Sequence, residues 1–214
     1  MPKLKKLIFD RLLLFTIIFY LIFIFGIFFF SEHINSANFN NGYILGGDSN
    51  RYIKGAIKLK NFEFPSGKAS SYLGYIFFLS IFQYFNLSLT FVVISQIFLT
   101  ILSALCIYKI SQKFSSNIGG LFAVILYLFY FPIQIRNFYI LTETLFICSI
   151  IFTTYFLIFF KKKYLIILMF LIFFTILIRP HGLLIIPAIF SSVLVWCFLN
   201  NKTKIFYIFI LILI

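Results

Sequence analysis

The chain has 214 residues, 63% apolar, 22% aromatic and only 11% charged, with a formal net charge of +13. That apolar share is far above, and that charged share far below, those of a water-soluble domain, so the composition specifies an integral membrane protein. The basic residues stand in short clusters between apolar runs rather than on one amphipathic face, which reads as membrane topology and excludes a nucleic-acid surface.

In chain order, Lys3, Lys5, Lys6 and Arg11 precede the apolar run 12 to 30. This run is too long for a signal-peptide core and ends without a small-residue cleavage site, which predicts a retained anchor. Further apolar runs fall at 71 to 87, 88 to 110, 117 to 135, 143 to 160, 164 to 178 and 183 to 199. The last ten residues, 205 to 214, are apolar but cover about half of a ~30 Å hydrocarbon core. They predict a partial span and a chain that stops partway through a longer protein.

The run 71 to 87 carries Gly74, Ser80, Gln83 and Asn86, and whether it crosses sets the sidedness of everything after it. If it crosses, the cytoplasmic side holds only Lys3, Lys5, Lys6, Arg11, Arg136 and Arg179, six of the 18 basic residues. If it lies along the outer surface, that side holds Lys3, Lys5, Lys6, Arg11, Lys109, Lys113, Lys161, Lys162, Lys163, Lys202 and Lys204, eleven of 18. The positive-inside rule selects the second arrangement. The expected fold is therefore all-α: a single polytopic transmembrane bundle over 1-214, with about six full spans and a partial one. A long external loop, 31 to 87, contains short surface helices. The N-terminus is cytoplasmic in a bacterial plasma membrane, and loop 31 to 87, loop 132 to 142 and turn 179 to 182 share the outer face.

The five acidic residues are Asp10, Glu32, Asp48, Glu63 and Glu143. Asp10 beside Arg11 reads as a solvated tail charge, and Glu32 and Glu63 as loop charges. Asp48 lies in "GGDSNRYIKGA", 46 to 56, after a Gly pair that permits a tight or left-handed turn and before a run with helical spacing. Helix capping accounts for an Asp there, but not for Arg51 and Tyr52 following it. Glu143 opens an apolar run, where a carboxylate is costly unless it faces water or a partner. Arg179 ends a run of about 22 Å, and Pro180 and Gly182 break the helix at membrane depth, as tolerated where backbone lines protein or water. His33 and His181 are isolated, with no second His or Cys at ligand spacing. Cys106, Cys148 and Cys197 lie inside apolar runs and read as filler. No phosphate loop, nucleophile elbow or His-Glu-x-x-His helix is present.

The order of an N-terminal span, an external loop with an early Asp, "SGKASSYLGY", "YFPIQIRNFYILTETLF" and "LIRPHGLLIIP" resembles the N-terminal half of the GT-C membrane glycosyltransferases. The likeness is to the protein O-mannosyltransferase and aminoarabinose transferase group and covers roughly 10 to 200. It implies sugar transfer from a polyprenyl-phosphate donor to a lipid, glycan or protein acceptor on the non-cytoplasmic face. It implies Asp48 and Glu143 as catalytic residues and Lys68, with Arg51 or Arg179, on the donor phosphate, with Tyr52 and His181 in support. The first-loop motif has one acidic residue where many relatives have two, so no cofactor is assigned and a divalent metal stays an open alternative. Two other readings use the same charges: a transporter or flippase for a lipid or small solute, and an inactive fragment of the transferase.

Overall fold

The computed structural model describes residues 2–34, 39–40, 42–188 and 191. The partial run at 205 to 214, most of the run at 183 to 199 and Cys197 lie outside them. Helix α1, Pro2–Ile34, is followed by a two-stranded antiparallel ladder, β1 Phe39–Asn40 and β2 Tyr43–Ile44, with Phe39 opposite Ile44. This ladder departs from the all-α expectation. Gly42 turns it at φ +92°, a backbone open chiefly to glycine. Next come α2, Ser49–Lys60, a 3-10 turn Gly67–Tyr72, and α3, Leu73–Tyr84. The remaining α-helices are α4 Leu89–Phe114, α5 Asn117–Phe129, α6 Phe131–Gln134, α7 Thr142–Ile158 and α8 Leu165–Ile178.

Two helical segments, Ile8–Phe28 of α1 and the whole of α4, are long and apolar enough to cross a membrane. A third candidate is the pair Asn117–Phe129 and Phe131–Phe138, which is bent by 57°. Pro132 accounts for the bend: it has no N–H to continue the ladder of α5, and its fixed φ suits the first turn of α6. Helices α7 and α8 are apolar but shorter, 17 and 14 residues. The run 71 to 87 is no long helix; it forms only the 12 residues of α3 after the 3-10 turn.

Helix α4 is the hub, packed on α5 and α7; α7 packs on α8, α1 on α5, and α3 between α2 and α8. The broken α5–α6 unit is held by buried amides and hydroxyls. Gln134 Nε2 donates to the carbonyl of Tyr127 at 2.7 Å, taking up one of the acceptors that the end of α5 leaves free. Tyr20 of α1 donates to Gln134 Oε1 at 2.7 Å, and Asn137 Nδ2 donates to that oxygen at 3.0 Å and to the Tyr20 hydroxyl at 3.2 Å. From α4, Thr100 donates to Asn137 Oδ1 at 3.0 Å, while Gln96 Nε2 donates to the carbonyls of Asn137 and Tyr139 at 2.7 and 3.1 Å. Every broken-helix carbonyl named here has a partner, the condition for irregular backbone away from water.

The helix ends sort to two sides. Phe28 of α1 meets Phe138 with ring centres 6.3 Å apart, and Gln96, near the start of α4, holds Tyr139. Glu143 in the first turn of α7 pairs with Arg179 just after α8. At the opposite end, Lys113 in the last turn of α4 donates to the carbonyl of Ile158 at 2.7 Å, satisfying a free acceptor at the end of α7. The loops before α4, between α6 and α7, and after α8 therefore share one end of the bundle.

Candidate functional site

Asp48 stands in a tight turn in which the N–H of Ser49 donates to the carbonyl of Gly46 at 3.1 Å. Its φ of −92° and ψ of −11° are those of the third position of a type I turn. Of the two turns that the glycine pair permits, tight or left-handed, the structure has the tight one, with neither Gly46 nor Gly47 left-handed. At position 46 space is tight: a Cβ there would lie 3.1 Å from a terminal methyl of Leu141, which would have to give by a few tenths of an ångström. Asp48 occupies the cap position of α2, yet its side chain makes no cap hydrogen bond. Its carboxylate instead pairs with Arg51 at 2.9 Å, with 47% of Asp48 and 36% of Arg51 exposed.

The turn is fastened to the segment that leads into α7. Ser49 accepts from the N–H of Gly46 at 2.8 Å and donates to the carbonyl of Ile140 at 2.9 Å. The N–H of Ile140 donates to the carbonyl of Ile44 at 3.1 Å, within a parallel bridge between Ile44 and Tyr139. Since Gln96 and Asn137 fix residues 137 to 139 from below, the buried amide network and the first loop together set where Glu143 begins α7. Glu143 Oε1 accepts from Arg179 Nη2 at 3.3 Å, with the two side chains 27% and 32% exposed. Glu143 Oε2 is buried and has no hydrogen-bond partner among the described residues.

Tyr52 lies within electrostatic reach of both carboxylates. It is 2% exposed, with its ring 5.3 Å from the rings of both Tyr72 and Tyr75. Burial pushes its phenol up to about 12, with the nearby negative charges of Asp48 and Glu143 adding to the rise, Tyr72 contributing and Arg51 opposing. Tyr75, fully buried, is raised well above the usual tyrosine range, first by burial and then by Glu143 and Tyr52. Both phenols therefore stay protonated at neutral pH, and that of Tyr75 donates to Gln96 Oε1 at 3.4 Å.

Of the residues singled out from sequence, Asp48, Arg51, Tyr52, Glu143 and Arg179 are brought to the same end, the charged ones in two ion pairs. Lys68 is exposed on the 3-10 turn that packs against α2 and α8, and His181 is exposed on the turn Pro180–Leu184. Neither has an ion-pair or hydrogen-bond partner among the described residues. Arg51 and Arg179 each hold a carboxylate, so of the three cations assigned to a phosphate only Lys68 stands unpaired. Sequence reasoning missed Gln96, Gln134, Asn137 and Tyr75, because a polar residue inside an apolar run carries no periodic signal of its own. The signal available was Gln134 and Asn137 following closely on Pro132, where a broken helix needs substitute donors.

Among the described residues no group of three or more His, Cys, Asp or Glu converges. Asp48 and Glu143 Oε1 are each held by an arginine, which leaves Glu143 Oε2 without a partner among the described residues. Set against family models, curated proteins and solved structures, the chain matches none.

Proposed function

We propose that the chain is an integral membrane glycosyltransferase that moves a sugar from a polyprenyl-phosphate donor to a lipid, glycan or protein hydroxyl on the outer face. In this reading α1, α4, the bent α5–α6 unit, α7, α8 and the run 183 to 199 are six spans. The shorter α7 covers about 26 Å and α8 about 21 Å, with Glu143 and Arg179 at the membrane edge completing their crossing. The observation that carries the proposal is that the Asp48–Arg51 and Glu143–Arg179 pairs lie at one end of an apolar bundle, their segments tied by the hydrogen bond from Ser49 to Ile140.

The chemistry asks for little more. The acceptor oxygen attacks the anomeric carbon, forming the new C–O bond, and the old bond breaks with its electron pair leaving on the phosphate. A carboxylate takes the hydroxyl proton: the unpartnered Glu143 Oε2 and the half-exposed Asp48 are the acceptors on hand. Lys68 binds the departing phosphate as a point charge. A lipid-linked donor explains a polar site at the edge of a membrane domain.

The transporter or flippase reading has one feature in its favour, the interrupted α5–α6 unit. Its polar groups, however, bond to one another rather than to an open path, and the ionised pairs gather at one end. Reconstituted chain supplied with polyprenyl-phosphate sugars and a hydroxyl acceptor tests the transferase reading. Asp48→Ala and Lys68→Ala are expected to insert normally and to lose transfer by about 100-fold or more. Unchanged transfer in both variants rejects the assignment.

A further inference from the structure

Away from this site, two turns form a paired aromatic tip. The first follows α2 and carries Phe62, 96% exposed at φ 61°, and the exposed Phe64. The second follows α3 and carries the exposed Tyr84 and Phe85, with Asn86 at φ 53°. Lys60 Nζ donates to Asn86 Oδ1 at 2.7 Å and so fastens the turns together. Between them runs a shallow cleft lined by Leu59, Phe62, Phe77, Ile81, Tyr84 and Phe85. Asn tolerates a left-handed backbone, whereas a bulky aromatic there is an outlier. Phe62 accepts that conformation with almost no packing inside the chain, which directs attention to what lies outside it.

The chain connectivity says what that is. Helices α2 and α3 have 12 residues each, about 18 Å, and neither spans a bilayer. Phe85 is four residues before Leu89, where α4 starts, and the 26 residues of α4 cover about 39 Å against a ~30 Å core. The tip is thereby tethered at the level where α4 leaves the hydrocarbon. Between 54 and 68 the sequence places Lys54, Lys58, Lys60 and Lys68 against the single acid Glu63, a charge that complements anionic headgroups. Aromatic rings with flanking lysines are the composition of a membrane interface.

We propose that this tip is an interfacial membrane wedge: Phe62, Phe64, Tyr84 and Phe85 sit at the boundary between headgroups and acyl chains, and Lys54 and Lys58 engage anionic lipid. The inference rests on the membrane placement of α4 and is independent of sugar transfer. By gripping the bilayer, the wedge holds the α2–α3 hairpin, and with it Asp48 and Tyr52, at a fixed height above the surface.

The full chain has one tryptophan, Trp196, so Phe62→Trp and Phe85→Trp, each with Trp196→Phe, report the tip directly in phosphatidylcholine vesicles. Acyl chains carrying bromine are expected to quench both positions by about half or more, as they quench Phe98→Trp on α4, while aqueous acrylamide has little effect. An Asn50→Trp control shows the reverse pattern. Quenching by acrylamide at 62 and 85, with bromine quenching kept at 98, overturns the wedge alone. Protection from both quenchers also overturns it, and indicates a protein partner or a second copy of the chain on the tip. Absence of bromine quenching at all three positions overturns the membrane placement with it. Adding phosphatidylglycerol is expected to shift the Phe62→Trp emission further to the blue, an effect lost in Lys54→Gln/Lys58→Gln; no difference between the two overturns the anionic-lipid contact.

Discussion

At the scale of single residues, the informative feature is that Tyr52 senses two carboxylates 95 positions apart in the chain. Its phenol is raised from 10.0 to about 12, with burial as the larger cause. Between those values the folded chain holds a proton that the unfolded chain has released. This contribution to stability is therefore whole below about pH 10 and falls as the pH rises toward 12. Unfolding followed across that range is expected to show a shallower decline in Tyr52→Phe than in the parent chain. At neutral pH the same variant loses a buried hydroxyl within electrostatic reach of Asp48 and Glu143, and a fall in transfer of about tenfold is expected. A Tyr52→Phe chain as alkali-sensitive as the parent would mean that the phenol is not held as described.

Among the elements, the α3–α8 contact decides where Arg179 lies. Gly74 sits at that contact so closely that a Cβ would fall 2.7 Å from the backbone nitrogen of Ile178 and 2.8 Å from the carbonyl carbon of Leu177. Backbone does not yield as a side-chain tip does. Gly74→Val is therefore expected to cost about 1–3 kcal/mol in a denaturant titration and to weaken transfer by displacing Arg179 from Glu143. Parent-like stability and transfer would show that α3 does not seat against α8.

How much of this was legible in the sequence varies by element. The long apolar helices α1 and α4 and the short α3 follow from apolar length and from the polar interruptions at Ser80, Gln83 and Asn86. The grouping of Asp48, Glu143 and Arg179 at one end follows from the charge count between spans. What the pattern hid is what depends on pairing across the chain. The ladder Phe39–Asn40 with Tyr43–Ile44, the bridge from Ile44 to Tyr139 and the seat of Ser49 on Ile140 are backbone partnerships. No local periodicity encodes them. The glycines at 46 and 47 were legible as a turn, but the close approach of the Leu141 side chain to Gly46 is supplied only by the folded chain.

For the whole molecule, the lysines Lys109, Lys113, Lys161 and Lys163 belong to the end opposite the candidate site. The topology they imply is checked by labelling with a membrane-impermeant maleimide. Asn50→Cys, exposed beside Asp48, is expected to react in intact cells, and Lys163→Cys, exposed before α8, only after permeabilisation. The opposite pattern would turn the site to the cytoplasm.

The central claim is that the first-loop carboxylate and the one opening α7 work in a single site. It is tested most directly by transfer rates of the parent chain, Asp48→Asn, Glu143→Gln and the double variant from one polyprenyl-phosphate sugar. Groups acting as a unit are not additive. The account predicts that each single variant loses about 100-fold or more and that the double variant is no worse than the poorer single one. Independent, multiplying losses, or full activity in either single variant, would contradict it.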